Sequence, residues 1–450
     1  MPVQSHLSQE DRRAASAVTT SGSGHRFEIQ LGHLCNNRCV FCSSGQLTAM
    51  KFAGPVSIAP IIAGLEEARA AGATHVTFLG GEPTIHKRFV EAVAKAVELG
   101  FEHIVIFTNG VMFPHPGFID SVTALGNFEW RISIQGATDE AHVASTGRPG
   151  SFQRILHGLT ELQRRGQLVT ANTCVHERNY RSLPGYPELL ARYGVRQLHV
   201  DIVRPESAGQ RDEAYLRDLM PRYSETAPYY AEMLAGFERL RPTFDVNIGN
   251  LPYCILPEWA ARIHHGGEET FTRASDGIGL DAATNKYTWH QSLRTHLPGC
   301  ADCFFRSRCT GIFQVYLDLY GGDEFRPVSG AALAADGAER LPREPIVRRG
   351  RRRVDLLAAR LQSRFARPGW YLEPLHWPTD TIGELVARGP AGARVDVRFT
   401  VGERGGRTHV GVDFRAAAGS DPSGVEPVIK EFVILLREKS GGTASDGVSP

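Results

Sequence analysis

Short apolar runs alternate with amphipathic stretches between about residue 26 and residue 204. Six of the apolar runs are rich in β-branched residues and predict buried strands. The six are FEIQLG (27–32), THVTFLG (74–80), HIVIFTNG (103–110), EWRISIQG (129–136), LVTANTCV (168–175) and LHVDIVRP (198–205). Four amphipathic stretches between them predict helices that mostly end in a glycine at the C-cap position. These stretches are APIIAGLEEARAAG, FVEAVAKAVELG, SFQRILHGLTELQRRG and PELLARYG.

Strands and helices that alternate in this way predict an α/β fold with a parallel sheet, either open or curled toward a barrel. In such folds, ligands bind at the carboxyl ends of the strands. We therefore expect the residues that carry chemistry to follow the strands directly.

The alternation stops near residue 245. Residues 245–330 combine glycine, proline, histidine and aromatic residues with a group of cysteines. Beyond residue 340, a basic run (VRRGRRR, 347–353), which we interpret as a solvated linker, precedes a helical stretch, VDLLAARLQSRF. A predicted hairpin follows, formed by ARVDVRFTV and THVGVDFRA about RGGR, and then the stretch IKEFVILLREK. These changes predict a small irregular domain and then a small α+β extension.

Composition and charge narrow the class of protein. The 450-residue chain is 42% hydrophobic and 22% charged, which is ordinary for a globular protein. Its 50 basic residues balance 49 acidic residues, so charge gives no indication of a nucleic-acid partner or an anionic membrane. No apolar run reaches the ~18 residues of a membrane-spanning helix, and the polar first 24 residues lack the apolar segment of a secretory signal. We expect a cytoplasmic protein with no membrane partner.

The eight cysteines are distributed unevenly. Three lie in the stretch LCNNRCVFCSSG, as Cys35, Cys39 and Cys42, and four lie much later in the chain, as Cys254, Cys300, Cys303 and Cys309. Cys174 stands alone, and we expect it to be a small buried apolar residue. In the reducing cytosol, grouped cysteines indicate metal binding or catalysis rather than disulfides.

The first cysteine group has two interpretations from the residues alone. A structural zinc ion takes four ligands, and His33 could supply the fourth. An iron–sulfur cube also takes four ligands, one for each iron, so three thiolates would leave one iron open to a substrate or cofactor.

The spacing Cys-x3-Cys-x2-Cys, with Phe41 before the last cysteine, resembles the signature of radical S-adenosylmethionine (radical SAM) enzymes. The resemblance implies a partial (β/α)6 TIM-like barrel in which the three cysteines hold a [4Fe-4S] cluster whose fourth iron binds S-adenosylmethionine. It further implies that an electron from a donor such as flavodoxin or ferredoxin cleaves the cofactor. The products would be methionine and a 5′-deoxyadenosyl radical that abstracts a substrate hydrogen.

Further motifs lie at the ends of later strands. Gly-Gly-Glu-Pro (80–83) follows the second strand, and Thr-Asn-Gly (108–110) ends the third. Each could also be an ordinary turn. The resemblance implies cofactor contacts at Phe41, Gly80, Gly81, Glu82, Asn109, Ser133, Gln135 and Asn172. Gln135 stands where the family often has an aspartate, and Arg148 could either reach an anionic group or lie in a surface loop.

The second cysteine group, Cys254 with Cys300-x2-Cys303-x5-Cys309, could be a zinc knuckle. Followed by Gly311 and a tyrosine-containing stretch, it also resembles the auxiliary-cluster domains called SPASM and twitch. Four cysteines imply the shorter form with one auxiliary [4Fe-4S] cluster, closed by four thiolates. If Cys254 is not a ligand, one iron would be open to substrate.

Other residues of this region are assigned to the fold. We expect solvated loops at His264 and His265, with Asp276 and Lys286 nearby, although these side chains could instead line a cavity between the two domains. Tyr316 and Tyr320 lie at helical spacing and are expected to pack.

These observations predict a radical SAM oxidoreductase that acts on a peptide or a small metabolite, with no nucleic-acid partner. The alternative is a zinc-stabilised, non-catalytic binding scaffold. The expected domains are a radical SAM core (25–240), an auxiliary-cluster domain (241–330) and an α+β extension (331–438), with disordered tails at 1–24 and 439–450.

Overall fold

The computed structural model describes most of the chain between residues 26 and 437. The described ranges are 26–204, 213–240, 244–265, 270–275, 279–285, 293–306, 308–329, 354, 357–358, 361–362, 364–373, 375–379, 381–404, 407–417 and 422–437. Outside them lie both predicted tails, the basic run, part of the helix predicted after it, and Asp276 and Lys286.

A ten-stranded sheet forms the centre of the molecule, in the order β10-β9-β1-β2-β3-β4-β5-β6-β7-β8. Its strands are β1 (Arg26–Gln30), β2 (His75–Leu79), β3 (His103–Thr108), β4 (Glu129–Ser133), β5 (Leu168–Val175), β6 (Gln197–Ile202), β7 (Asp245–Gly249), β8 (Ile263–His264), β9 (Thr270–Arg273) and β10 (Thr284–Asn285). All neighbouring pairs are parallel except β9 and β10. The six predicted strands are confirmed as β1 to β6 of a parallel, TIM-like α/β barrel.

Helices connect the strands on the outer side of the sheet. They are α1 (Ser43–Ala49), α2 (Ile58–Ala70), α3 (Phe89–Glu98), α4 (Phe118–Thr123), α5 (Asp139–Thr146), α6 (Ser151–Arg164), α7 (Tyr186–Arg192), α8 (Glu213–Leu219) and α9 (Tyr223–Leu240). The four predicted helices correspond to α2, α3, α6 and α7. Just after α3 and α6, Gly100 and Gly166 have φ values of 73° and 62°. This left-handed conformation is the reason for a glycine at the end of a helix.

Alternation along the strands separates an apolar outer face from a polar interior. In β6, Leu198, Val200 and Ile202 belong to the main hydrophobic core, whereas His199 and Asp201 are partly exposed on the opposite face. The two faces follow from the period of two in a strand. The interior of the barrel therefore carries polar side chains.

The amino-terminal end of the barrel interior is filled by a buried polar network. Glu129 is fully buried and accepts hydrogen bonds from His103 Nε2 (2.9 Å), Arg131 (3.0 Å) and the hydroxyl of Thr170 (3.0 Å). The ring of His75 lies 5.0 Å from that of His103. A buried carboxylate needs such partners because burial disfavours an unpaired charge.

The sheet continues beyond residue 240, which sequence analysis predicted as the end of the core. β7 to β10 lie in the range assigned to the auxiliary domain, so the boundary at 240/241 stays a prediction. The same range contains the antiparallel pair β11 (Arg294–Thr295) and β12 (Ile312–Phe313), and helix α10 (Gln314–Tyr320). Within α10, Tyr316 is fully buried and stacks on Tyr223, with 4.0 Å between ring centroids.

The C-terminal extension is an antiparallel sheet with a helix. Its elements are β13 (Tyr371–Leu372), β14 (His376–Thr379), β15 (Ile382–Arg388), β16 (Arg394–Arg404), β17 (Arg407–Ala416) and α11 (Pro422–Arg437). β16 and β17 form the predicted hairpin. Val397, Phe399, Val428 and Phe432 are buried in a separate hydrophobic core. No helix in the described part of the chain is long and apolar enough to cross a membrane.

The network around Glu129 predicts a large stability effect. Glu129→Ala should lower the free energy of unfolding by about 3–5 kcal/mol, because it leaves the buried polar groups of His103 and Arg131 without their acceptor. Urea denaturation of the purified chain measures this value. Glu91→Ala removes an exposed carboxylate paired with Arg88 and should leave the unfolding midpoint unchanged. Equal effects of the two substitutions would contradict the role given to Glu129.

Candidate metal centres and cofactor site

The first cysteine group occupies a loop between β1 and α1, at the carboxyl end of the parallel sheet. Cys35, Cys39 and Cys42 are all reduced and partly exposed. The loop is held at its middle, where the N–H of Val40 donates to the carbonyl of Ser145 (3.0 Å). The hydroxyl of Tyr215 in α8 donates to the carbonyl of Val40 (2.6 Å). The three thiols are therefore presented by a loop with fixed backbone positions.

Two polar side chains from other loops hold the start of the cysteine loop. Asn109 Nδ2 donates to Asn36 Oδ1 (2.7 Å) and lies 3.7 Å from Cys35 Sγ. Arg148 donates to the carbonyl of Asn36. From the sequence, Arg148 was expected either to reach an anionic group or to lie in a surface loop. In the structure, its guanidinium instead orients the cysteine loop. Asn109, expected at the cofactor, also orients this loop.

Burial and neighbouring negative charges raise the pKa of two of the three thiols. Burial raises the pKa of Cys35 to about 12, and the negative charges of Glu82 and Cys42 add to the shift. Burial also raises the pKa of Cys39, with further contributions from Cys42 and Cys35. Thiolates at these positions need a compensating cation. This donor set fits iron, because bound metal keeps its thiolate ligands deprotonated.

The Gly-Gly-Glu element packs directly against the cysteine loop. A Cβ at Gly81 would lie 2.3 Å from the carbonyl oxygen of Leu34 and 2.4 Å from that of His33. The N–H of Gly81 donates to the carbonyl of Gly32 (2.7 Å), and that of Glu82 donates to the carbonyl of Leu34 (2.9 Å). Position 81 therefore needs a glycine because the two backbones touch.

The carboxylate of Glu82 is enclosed by hydrogen-bond donors of the protein. Its Oε1 accepts from the N–H and the hydroxyl of Thr84 and from the hydroxyl of Thr108 (2.6 Å), and its Oε2 accepts from the N–H of Asn109 (2.7 Å). Only 3% of the residue is exposed. Burial raises the pKa of Glu82, and the four hydrogen bonds oppose that shift. These hydrogen bonds join the ends of β2 and β3 through the Glu82 side chain, and its expected contact with the cofactor stays a prediction.

The residues expected at the ends of β4 and β5 differ in their accessibility. Ser133 and Asn172 are partly exposed neighbours in the sheet register. Gln135 is 2% exposed; its Nε2 donates to Ser133 Oγ (2.6 Å), and its Oε1 accepts from the N–H of Cys174 (2.9 Å). Gln135 thus braces the strand ends, and its expected role as a cofactor contact stays a prediction.

Three further predicted residues lie around the cysteine loop. His33 donates or accepts through Nδ1 with Ser44 Oγ (3.0 Å), and its Nε2 lies 3.0 Å from the carbonyl of Ser275. Both ring nitrogens are engaged, so His33 does not fit the fourth position of a zinc site. The Phe41 ring lies 5.4 Å from that of His176. Cys174 is only partly buried, and it is adjacent to Asp201 in the sheet register.

The second cysteine group surrounds a cavity of about 150 Å³. Cys254, Cys300, Cys303 and Cys309 all line it, together with apolar side chains such as Phe305. The structure thus brings Cys254 together with the three cysteines that follow it 46 or more positions later. The N–H of Gly311 lies 3.4 Å from Cys309 Sγ, and that of Val328 lies 3.5 Å from Cys303 Sγ. Backbone N–H groups of this kind stabilise the charge on thiolate sulfur.

Burial and the neighbouring thiols also raise the pKa of Cys254 to about 12. A [4Fe-4S] cluster takes one thiolate per iron, so its cysteines surround a volume. The thiols of Cys254, Cys300, Cys303 and Cys309 surround one cavity, as the ligands of such a cluster do. Within the described ranges, no three His, Cys, Asp or Glu side chains converge closely enough to bind a single metal ion.

Sequence analysis missed the polar contacts that join the two cysteine regions. Asn250 Nδ2 donates to Asp201 Oδ1 (2.8 Å), and its Oδ1 accepts from Arg294. Arg294 also donates to the hydroxyl of Thr310 (2.9 Å), the residue after Cys309. A continuous chain of hydrogen bonds therefore runs from the barrel interior to the second cysteine group.

The expectation that His264 and His265 lie in a solvated loop is wrong. His264 belongs to β8, and its Nδ1 lies 3.1 Å from the carbonyl of Ile248. His265 Nε2 lies 2.6 Å from the carbonyl of Leu251, and the N–H of Thr310 donates to its Nδ1 (2.9 Å). Both rings are fixed by backbone groups because the sheet continues to β8.

Comparison with known proteins agrees with the geometry of the first site. Residues 29–184 match the Radical SAM superfamily. The PqqA peptide cyclase of Methylorubrum extorquens is 31% identical over 238 residues, which are 52% of this chain and 58% of that protein. An AdoMet-dependent heme synthase of Methanosarcina barkeri is 28% identical over 197 residues, 44% of this chain and 55% of that protein. The chain thus spans little more than half the length of these relatives.

Among solved structures, Streptococcus suis SuiB bound to S-adenosylmethionine aligns with a TM-score of 0.48 and 14% identity, covering 68% of this chain and 76% of that one.

The contact at Gly81 predicts a selective defect. Gly81→Ala should displace the cysteine loop, because its Cβ would overlap two carbonyl oxygens. We expect a loss of iron bound at the first cysteine group after anaerobic reconstitution, with little change in the far-ultraviolet circular dichroism spectrum. Gly424→Ala, whose Cβ would meet open space in α11, is the control and should retain full iron content. Normal iron content in Gly81→Ala would contradict this role.

Proposed function

We propose that this chain, whose residues 29–184 match the Radical SAM superfamily, is an enzyme that cleaves S-adenosylmethionine reductively. The cofactors of this family are a [4Fe-4S] cluster and S-adenosylmethionine, which together supply a 5′-deoxyadenosyl radical for abstraction of a substrate hydrogen. The observation that carries the proposal is the anchored loop with three thiols at the carboxyl end of a parallel barrel.

The proposed ligands of the first cluster are Cys35, Cys39 and Cys42. Their thiols share one loop, and burial together with neighbouring negative charge raises the pKa of Cys35 and Cys39, so the three form a donor set that needs cationic compensation. Tyr215 and Arg148 hold the loop backbone through its carbonyl groups. The residues around the loop would thereby hold the three thiols in fixed positions as ligands of the cluster.

We divide the predicted cofactor contacts into two classes. Ser133 and Asn172 are accessible from the interior and are proposed to bind S-adenosylmethionine directly. Gly80 and Gly81 would contribute backbone groups, and Phe41 an apolar surface. The buried side chains of Glu82, Asn109 and Gln135 act as positioning residues, because their polar atoms are engaged with the protein.

An auxiliary [4Fe-4S] cluster is proposed at Cys254, Cys300, Cys303 and Cys309. Support comes from their common cavity and from the N–H groups that face two of the sulfur atoms. Four thiolates would leave no open iron, so this cluster would carry an electron and not bind substrate. In this proposal residues 25–240 make up the radical SAM core and residues 241–330 the auxiliary domain, although the core sheet extends into the latter.

For the net reaction we propose oxidation of a peptide or of a small metabolite. Support comes from the names of two relatives: one is a peptide cyclase, which suits a peptide substrate, and the other is a heme synthase, which suits a small metabolite. An auxiliary cluster suits oxidation because it can accept the electron that remains after hydrogen abstraction. An external donor such as flavodoxin or ferredoxin would reduce the first cluster in the cytoplasm.

The proposal predicts that Cys39→Ala abolishes 5′-deoxyadenosine formation, because one iron of the first cluster loses its ligand. Anaerobic reconstitution should give about eight irons per chain in the unaltered protein and about four in this variant. Liquid chromatography of reactions with dithionite and S-adenosylmethionine measures the product.

Cys303→Ala is the matched control, since it also removes one cysteine ligand. It should lose about four irons but still form 5′-deoxyadenosine. Bound zinc without iron in the unaltered protein would favour the zinc-stabilised scaffold instead. Continued 5′-deoxyadenosine formation by Cys39→Ala would refute the assignment of the first cluster.

A further inference from the structure

Two rows of side chains cross the interior of the barrel near its carboxyl end. The strand register aligns Ser133, Asn172, His199 and Asn247 across β4 to β7. It aligns Cys174, Asp201, Gly249 and His264 across β5 to β8. Register partners in neighbouring strands share a face of the sheet. The residues proposed to bind S-adenosylmethionine, Ser133 and Asn172, therefore continue into a second polar group on β6 to β8.

Asp201 is the charged centre of that second group. Its Oδ2 lies 3.0 Å from His199 Nε2, and its Oδ1 accepts from Asn250 Nδ2 (2.8 Å). The ring of His264 lies 5.2 Å from that of His199. Burial alone would raise the pKa of Asp201, but His199, Arg204 and His264 together hold it below its ordinary value. The side chain is thus a carboxylate, and it remains 31% exposed to the interior.

The backbone of β7 makes room for this carboxylate. A Cβ at Gly249 would lie 2.3 Å from Asp201 Oδ1 and 3.4 Å from His264 Cε1. The φ angle of Gly249 is not in the left-handed region. Glycine is required here because any side chain would collide with the Asp201 carboxylate, and not because of the backbone conformation. The strand is therefore shaped around the charged group.

An unsatisfied acceptor lies in the neighbouring row. Asn247 is 8% exposed, and its Oδ1 is buried with no hydrogen-bond partner among the described residues. The register places Asn247 beside His199 on the interior face. A buried carbonyl oxygen without a donor is costly, so it indicates a missing donor.

The groups that face this part of the interior are acceptors. A carboxylate has about four lone-pair sites, and Asp201 uses two of them for His199 and Asn250. The Asn247 oxygen adds another acceptor. Such a set matches a ligand with several N–H donors and a positive charge.

We propose that Asp201, which is held in place by His199, and Asn247 bind a protonated amine or guanidinium group of the substrate, beside the S-adenosylmethionine site. This inference rests on the proposed function for the idea that a substrate enters the barrel. The hydrogen bonds through Asn250 and Arg294 to Thr310 connect this anchor to the auxiliary region. A substrate held here would therefore be linked through hydrogen bonds to the residue after Cys309.

Arg204 is one of the positively charged groups that lower the pKa of Asp201, together with His199 and His264. It also lowers the pKa of Cys174, opposing the effect of burial. If Arg204 dominated the interior, the site would prefer an anion. The choice of ligand charge is therefore the decisive measurement.

The test uses n-butylammonium as the probe and n-butanol as its neutral match, both titrated into the reconstituted full-length chain with S-adenosylmethionine at constant ionic strength. Saturation-transfer NMR gives their dissociation constants. We expect butylammonium to bind about tenfold more tightly than butanol, as charge-assisted hydrogen bonds require. Asp201→Asn should remove that tenfold preference, and Asn247→Leu should weaken butylammonium binding about threefold.

Asp245→Asn is the matched control, because it removes a carboxylate from the amino-terminal end of β7, where Gln197 donates to it. It should bind the probe as the unaltered chain does. Circular dichroism checks that each variant folds. The titration counts bound probe and needs no cofactor cleavage, so its failure is distinct from a failure to form 5′-deoxyadenosine.

Three results would overturn the proposal. One is equal binding of butylammonium and butanol, or an Asp201→Asn variant that retains the preference. Another is tighter binding of butyrate than of butylammonium, which would assign the site to an anion held by Arg204. The third is an Asp201→Asn variant that loses S-adenosylmethionine affinity as strongly as probe affinity, which would assign the anchor to the cofactor's own ammonium group.

Discussion

The buried carboxylate of Glu82 is the constraint on which the mouth of the barrel depends. A charge with so little exposure is tolerable only if the protein surrounds it with donors. Those donors come from the 3-10 turn after β2 and from the end of β3, so the charge fixes two strand ends relative to each other. The backbone of Glu82 holds Leu34, and Asn109 holds Asn36. The Glu82 carboxylate therefore fixes the position of the cysteine loop indirectly, through the backbone of Glu82 and through Asn109, and not through a contact with any thiol.

The two cysteine groups differ in how the chain assembles them. The first comes from eight consecutive positions, and its neighbours supply orientation through backbone carbonyl groups. The second joins Cys254 to residues 300–309 across a long stretch of chain, and its cavity is built from the turns around β11 and β12. Short-range sequence can specify the first group, whereas the second exists only after the chain has folded around it. Stability of the auxiliary region and formation of its site are therefore coupled.

The strands β1 to β6 could be predicted because each is an apolar run with a glycine or polar residue at its end. β7 was missed because its sequence, DVNIG, alternates polar and apolar residues over only five positions. With β7 unrecognised, β8 and the neighbours of Asp201 could not be placed, and His264 was assigned to a loop. A period of two was present in both LHVDIV and DVNIG, and it was the available signal for an interior polar face. Gly81 and Glu82 were found by their spacing, but their packing roles depend on contacts with the cysteine loop that no local pattern encodes.

Asn250 has a further consequence for communication between the two regions. Its side-chain amide has distinct ends, and a guanidinium can only donate, so Arg294 must face the oxygen. That choice leaves the NH2 group for Asp201. If the segment carrying Arg294 moved away, the amide oxygen would lose its donor, while the NH2 group would still donate to Asp201. One side-chain amide thus links a cation of the distal region to a carboxylate of the barrel, each through the end that suits its charge.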